Sequence, residues 1–130
     1  GAHGSTFGGN PLAAAVARVA LRKLSSDEIK ANVVRQSAAL KAGLEAIGEE
    51  FGVFEQVRGM GLMLGAVLKP DYVADIGMLL DLAAEKQVLI LQAGTSVLRF
   101  VPALNITDEE VAEGLKRVRE AIAAYMASRG

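Results

Sequence analysis

Apolar residues recur at helical spacing in two long segments of the chain. The first begins after Ser25 to Glu28, a stretch with the spacing of a capping box. Its apolar positions predict a helix that runs to about Glu50, with Gly52 as its C-terminal stop. The second segment follows another capping box, Thr107 to Glu110. Its inward positions are spaced four, three, four and three residues apart: Val111, Leu115, Val118, Ile122 and Tyr125.

Shorter apolar runs lie between these two helices and predict strands. The first two strands cover Val53 to Arg58 and Leu62 to Leu68, with Gly59-Met60-Gly61 as the turn between them and Pro70 as the end of the second. Gly65, inside the second run, indicates a bulge or a close backbone approach. The remaining predictions are a helix over Ile76 to Lys86, strands over Val88 to Leu91 and Val97 to Val101, and a turn at Gln92-Ala93-Gly94-Thr95.

An alanine-rich helix is also expected near the start of the chain, from Pro11 to about Leu24, with Asn10 as its N-cap. The complete order is then helix, helix, two strands, helix, two strands, helix. This order predicts an α+β fold, in which helices pack on one face of a small, mostly antiparallel sheet.

Composition narrows the classes of function. The chain has 130 residues, is 52% apolar and carries a formal net charge of −1, so it is the size of one domain and has no basic surface for nucleic acid. It has no cysteine and one histidine, so we expect no disulfide and no metal site. No apolar run is long enough to span a bilayer, and the first residues lack the pattern of a signal peptide. The lack of cysteine fits a cytosolic origin.

The most unusual stretch is the loop Ser5 to Gly9, which combines two hydroxyls and two glycines directly before the Asn10-Pro11 helix start. A glycine-rich turn that leads into a helix N-terminus can bind an anion, because free backbone N–H groups and the helix dipole both favour negative charge. Ser5 and Thr6 add donors suited to phosphate oxygens. The alternative is a tight turn without a ligand. His3, beside the loop, is read as a turn residue.

Three blocks of the sequence resemble the class III pyridoxal-phosphate aminotransferases of fold type I. HGSTFGGNPLAAAVA resembles the segment after the family's catalytic lysine, and VRGMGLMLGAVLKP resembles its Arg-Gly-x-Gly strand pair. LILQAGTSVLRFVPALNIT resembles the C-terminal segment with its Arg-x-x-Pro-x-Leu. Within the family, the resemblance is greatest to the acetylornithine and succinylornithine aminotransferases.

The resemblance implies roles for three residues. Thr6 stands where the family's threonine binds the phosphate of pyridoxal 5'-phosphate, across the interface of a homodimer, so that it completes the partner subunit's site. Ser5, beside it, contacts phosphate or substrate. Arg99 stands where an arginine binds a carboxylate of the amino-acid substrate, and a guanidinium fork suits two carboxylate oxygens. By alternation alone, Arg99 could instead lie on the solvent face of an edge strand. Arg58, just before Gly59, could form an ion pair at the seam between domains, and a structural role is expected for it.

The family's lysine, which holds the cofactor as a Schiff base, lies upstream of the loop and has no counterpart here, so no residue of this chain is assigned as catalytic. By resemblance, residues 1–24 are an interface loop and linking helix from the end of the large domain. Residues 25–130 are the C-terminal small domain. The whole enzyme is expected to transfer the side-chain amino group of N-acetylornithine or succinylornithine to 2-oxoglutarate in arginine metabolism, and the isolated chain is expected to be inactive.

Three other functions are compatible with the sequence. The parent enzyme could be another ω-aminotransferase that acts on ornithine or 4-aminobutyrate. The chain could be a free-standing module that binds a small anion at the Ser5 to Gly9 loop. It could also be an interaction domain, because the apolar helix from Leu12 to Leu21 would drive self-association if it were exposed.

Overall fold

The computed structural model describes residues 24–129. The predicted loop at Ser5 to Gly9 and the predicted helix from Pro11 lie outside the described residues. The described part of the chain consists of α1 (Ser26–Phe51), β1 (Phe54–Met60), β2 (Met63–Leu68), α2 (Pro70–Val73), α3 (Ile76–Glu85), β3 (Leu91–Ala93), β4 (Val97–Phe100) and α4 (Asp108–Arg129).

Both predicted capping boxes are confirmed, and each starts a long helix. At α1 the backbone N–H of Glu28 donates to Ser25 Oγ at 3.1 Å, and Ser25 N–H donates to Glu28 Oε1 at 3.0 Å. Thr107 and Glu110 make the same reciprocal pair before α4. Gly52 ends α1 with a φ of 64°, which a residue without Cβ adopts at little cost.

The four strands form one antiparallel sheet in the order β1-β2-β4-β3. The turn between β1 and β2 differs from our prediction, because Gly59 and Met60 belong to β1 and the turn consists of Gly61 and Leu62. Met60 pairs with Met63, and Gly61 has a φ of 60°. Glycine with positive φ at the first position of a two-residue loop matches the twist of a hairpin. As a result β1 runs two residues further than expected, and β2 begins one residue later.

The bulge in this hairpin lies in β1 and not at Gly65. Phe54 pairs with Leu68 and Gln56 pairs with Val67, so Glu55 is the extra residue. The bulge shifts the alternation, and as a result Phe54 and Val57 both face the core although they are three residues apart. Neither alternative for Gly65 holds as stated: the bulge is elsewhere, and the atom that a Cβ on Gly65 would approach at 3.0 Å belongs to the side chain of Val97, while the nearest backbone atom, Arg58 O, would be 3.9 Å away.

The predicted strand at Val88 to Leu91 is displaced. Val88 is fully buried, but it belongs to the cap that follows α3 and not to a strand. Its N–H donates to Ala83 O at 2.9 Å, and Gln87 N–H donates to Ala84 O at 2.9 Å. These two bonds form a Schellman motif, with Gln87 at a φ of 63° in the position that glycine usually takes. The chain therefore turns where the sequence shows no turn residue, and β3 starts only at Leu91.

The short helix α2 was not predicted, because we read Pro70 only as the end of a strand. Pro70 is its first residue, where proline is favoured because the missing N–H would have no helical partner.

The core lies between the sheet and the helices, and within residues 24–129 these helices cover only one face of the sheet. Side chains from β1, β2 and β4 meet residues of α1, α3 and α4 there. The largest of the fully buried ones are Tyr125, Phe100, Leu44, Leu68, Leu98 and Ile106. Asn32 of α1 also holds the segment before α4, because its Nδ2 donates to Leu104 O at 2.7 Å and to Ile106 O at 3.0 Å. The predicted α+β fold with a small antiparallel sheet is confirmed.

Within residues 24–129, neither long helix carries an apolar stretch that could cross a bilayer.

Candidate functional site

The second face of the sheet has no helix over it among the described residues, and we call it the open sheet face. Two rows of residues cross it through all four strands. One row is Gln56, Val67, Val97 and Ala93, and the other is Arg58, Gly65, Arg99 and Leu91. Because residues opposite each other in antiparallel strands share a face, each row places its side chains together.

Arg58 and Arg99 flank Gly65 in the second of these rows. Gly65 of β2 pairs with Arg58 of β1 on one side and with Arg99 of β4 on the other. Neighbouring strands lie about 4.8 Å apart, so the two arginine Cα atoms are separated by roughly 10 Å. Both arginine side chains are exposed. The open sheet face therefore carries two long cationic side chains with no side chain between them.

The space at Gly65 is narrow. A Cβ on Gly65 would lie 3.0 Å from Cγ1 of Val97, which is closer than an ordinary carbon contact. A larger residue would therefore push Val97 aside and fill the gap between the arginines.

A depression of about 720 Å³ surrounds the two arginines. Its wall on one side is the turn after β3, where Thr95 and Ser96 bring two hydroxyl groups. No aspartate or glutamate is among its lining residues, so the described wall of the depression carries two positive charges and no negative one. Such a surface favours an anion.

The two arginines of the depression differ from the other four in residues 24–129. Arg35 pairs with Asp108, Arg117 with Glu113, Arg119 with Glu50, and Arg129 with Asp75. Arg58 and Arg99 have no carboxylate partner in this part of the chain. Their guanidinium groups are therefore available to a ligand or to another part of a larger protein.

Of the three predicted site residues, Arg99 lies within residues 24–129 and the other two do not. Ser5, Thr6 and His3 lie outside the described residues. Arg99 is on a strand as predicted, but β4 lies between β2 and β3 and is not an edge strand. Its side chain is exposed on the open sheet face, in the wall of the depression.

Arg58 pairs with no carboxylate among residues 24–129. A partner across a seam between domains is not tested by these residues, so that ion pair stays a prediction. The sequence did not show that Arg58 lies in one row with Arg99. The missing information was the strand order, because only the neighbours of β2 show that Arg58 and Arg99 share a row.

The described residues do not include an attachment point for an aldehyde cofactor. Five lysines lie in this part of the chain, on helices or at element ends, and none lines the depression: Lys30, Lys41, Lys69, Lys86 and Lys116. The lining of the depression therefore offers two guanidinium groups and no lysine amine. In the same part of the chain, the carboxylates form no cluster suited to a metal ion.

The fold agrees with the resemblance noted in the sequence. The chain belongs to the class III aminotransferase family, whose model matches residues 1–122. Enzymes of this family depend on pyridoxal phosphate.

Its relatives include acetylornithine aminotransferases. The chain is 70% identical over 127 residues to the acetylornithine aminotransferase of Xanthomonas campestris pv. campestris, a match that covers 98% of this chain and 31% of the relative. It is 42% identical over 123 residues to the succinylornithine transaminase/acetylornithine aminotransferase of Pseudomonas aeruginosa, with 95% of this chain and 30% of that protein covered. The chain thus spans about a third of the length of the relatives it matches.

Solved structures place the fold in the same family. N-acetylornithine aminotransferase from Stenotrophomonas maltophilia superposes with a TM-score of 0.77 at 69% identity, over 91% of this chain and 32% of that one. The ornithine aminotransferase of Toxoplasma gondii superposes with a TM-score of 0.71 at 23% identity, over 79% of this chain and 24% of that one, and this likeness concerns the fold alone.

Proposed function

We propose that this chain is the C-terminal portion of a pyridoxal-phosphate aminotransferase and that it supplies the arginine that binds the substrate's carboxylate. The observation that carries the proposal is the position of Arg99, which is exposed on the open sheet face without a carboxylate partner in residues 24–129. A guanidinium group offers two parallel N–H donors to a carboxylate, which fixes the orientation of the ligand as well as its position.

The proposed substrates are N-acetylornithine or succinylornithine as amino donor and 2-oxoglutarate as acceptor. The 70% identity to an acetylornithine aminotransferase supports this choice over ornithine or 4-aminobutyrate. All of these ligands carry a carboxylate, so Arg99 can serve both halves of the reaction. When bound, pyridoxal phosphate supplies the carbonyl group that accepts the amino group and the ring that withdraws electrons.

The remaining parts of the proposal concern residues that the structure does not describe. Thr6 and Ser5 would contact the cofactor phosphate across a homodimer interface, and Ser5 could also contact substrate. Residues 1–24 would end the large domain, and residues 25–130 would form the small domain. The resemblance to the family favours a cytosolic enzyme of arginine metabolism.

A chimeric enzyme tests the proposal. The matching third of the Stenotrophomonas maltophilia enzyme is replaced by this chain, which preserves the upstream residues that this chain lacks. We expect the chimera to bind pyridoxal phosphate and to use N-acetylornithine or succinylornithine with 2-oxoglutarate. The 130-residue chain alone should give no turnover, because it has no counterpart of the Schiff-base lysine.

The role of Arg99 is tested in the same chimera. Arg99→Gln should lower kcat/KM by about 100-fold for both the amino donor and the oxo acid, since hydrogen bonds to a charged group are lost in both half-reactions. Arg35→Gln is the matched control, because Arg35 pairs with Asp108 away from the open sheet face. A folded chimera that binds the cofactor but turns over neither donor would contradict the proposal. So would an Arg99→Gln variant with unchanged kinetics.

A further inference from the structure

The function proposed above assigns no role to Arg58, although this residue lies in the same row as Arg99. Arg58 and Arg99 carry like charges on the same sheet face, on either side of β2 and with only Gly65 between them, so they repel each other and together attract an anion. The other four arginines of residues 24–129 all avoid this situation by pairing with a carboxylate. A ligand that brings negative charge between Arg58 and Arg99 would remove the repulsion.

The geometry around Gly65 leaves room for such a ligand. Side chains of a strand stand roughly perpendicular to the sheet, so the stems of Arg58 and Arg99 rise in parallel on either side of β2. Gly65 lies between them and has no side chain to fill the gap. Each flexible arginine stem is long enough to lean over Gly65, so that both guanidinium groups can reach one point above it.

A single carboxylate can be bound by both arginines at once. Its two oxygens provide about four lone-pair sites, and one guanidinium fork uses only two of them. No acidic residue lines the depression, so no group among its lining residues competes for the arginines.

We propose that Arg58 and Arg99 bind one carboxylate of the substrate together, above Gly65, and that Arg58 is therefore a second carboxylate-binding residue of the site. This inference rests on the proposed function, because it assumes that Arg99 meets the substrate's carboxylate. It assigns to Arg58 a contact with the ligand instead of a structural ion pair.

The direct test measures binding of unreactive carboxylates to the chimeric holoenzyme by calorimetry. Butyrate carries one carboxylate and glutarate carries two, and neither has an amino or carbonyl group that could react. Arg58→Gln should weaken both ligands to a similar extent, by about tenfold, because both present a carboxylate to the shared site. Arg99→Gln should do the same, and Arg35→Gln should leave both affinities unchanged.

Gly65→Ala gives an independent test that keeps both arginines. The added methyl group occupies the space where the carboxylate is expected and presses on Val97 Cγ1. We expect weaker binding of butyrate and glutarate with a melting temperature close to that of the unchanged chimera. An unchanged affinity in this variant would contradict a carboxylate position above Gly65.

Three other results are distinguishable from the expected one. If Arg58→Gln lowers the melting temperature but leaves both affinities intact while Arg99→Gln weakens them, Arg58 is a structural residue and the inference is wrong. If Arg58→Gln weakens glutarate alone, the two arginines bind separate carboxylates, and the shared site is also wrong. If Arg99→Gln has no effect on binding or turnover, the proposed function fails first.

Discussion

The hydroxyl of Tyr125 donates a hydrogen bond of 2.6 Å to Oδ2 of Asp75. This bond joins the last helix, α4, to the residue before α3. Arg129 donates to the same carboxylate oxygen at 2.9 Å, and its guanidinium group lies 4.8 Å from the centre of the Tyr72 ring. The last turn of α4 is therefore held to α2 and to the residue before α3 by one cluster of polar and aromatic contacts.

Tyr125→Phe tests the contribution of this bond. The variant keeps the buried ring but leaves Asp75 with Arg129 as its remaining donor, so we expect the free energy of unfolding to fall by about 1–2 kcal/mol. For a domain of this size the melting temperature should drop by roughly 4–8 °C. Thermal unfolding followed by circular dichroism measures the change.

Asp75→Asn is the matched control for that prediction. Asparagine keeps an acceptor for the Tyr125 hydroxyl but removes the charge. Combining the two substitutions gives a double-mutant cycle, which measures how much the charge of Asp75 strengthens the hydrogen bond from Tyr125. Strictly additive losses would mean that the charge adds nothing to this bond.

The same bond predicts how stability depends on acid pH. The hydrogen bond from Tyr125, followed by that from Arg129, lowers the pKa of Asp75. A carboxylate with a lowered pKa in the folded state stabilises the fold above its unfolded pKa of about 3.9, and this contribution is lost as the pH falls through the folded value. Denaturant midpoints should therefore fall below about pH 4. The fall should be shallower in Tyr125→Phe; equal slopes would contradict the assignment.

At alkaline pH the change of stability with pH has the opposite sign. Burial, and then the hydrogen bond to Asp75, raise the pKa of the Tyr125 hydroxyl. The folded state therefore keeps this proton at pH values where the unfolded chain loses it, and stability falls as the pH rises above about 10. Tyr125→Phe removes this group, so its denaturant midpoint should change less between pH 9 and pH 11 than that of the unsubstituted chain.

The parts of the fold that the sequence predicts well are those with local causes. A capping box depends on only four consecutive residues. Both boxes, at Ser25 and at Thr107, form where the sequence pattern predicts them. Gly52 ends α1 for an equally local reason. The errors occur where contacts distant in sequence determine the local structure. Val88 is an example: it is buried in the core just after α3 and does not belong to a strand.

The candidate site divides in the same way. Arg99 could be singled out from the sequence because a charged residue in an apolar strand is unusual and because of the family resemblance. Arg58 could not be singled out, because its position in one row with Arg99 depends on which strand lies between β1 and β4. Gly65 looked like a bulge or a close approach, and only the pairing shows that it separates two arginines.

Gly59 offers a prediction about the hairpin turn that we placed wrongly. A Cβ at this position would lie 2.7 Å from the backbone oxygen of Met63 and 3.2 Å from Cα of Leu64, and backbone atoms cannot move aside cheaply. Gly59→Ala should therefore reduce the free energy of unfolding by about 2 kcal/mol. Gly77→Ala in α3 is the control, because no atom lies within 4 Å of its Cβ and a helical alanine should add about 0.5 kcal/mol. Similar effects of the two variants would contradict the close approach in the hairpin.

Gln87 predicts a stabilising substitution at the end of α3. It has a φ of 63°, a conformation that costs a residue with Cβ about 1 kcal/mol and glycine almost nothing. Gln87→Gly should therefore raise the free energy of unfolding by about 0.5–1 kcal/mol, even though it removes the 3.2 Å hydrogen bond from Arg117 to the glutamine side chain. Gln87→Ala loses the same hydrogen bond and keeps the unfavourable φ, so it should be less stable than the unsubstituted chain. If denaturant unfolding shows the glycine and alanine variants to be equally stable, the backbone conformation at Gln87 carries no strain.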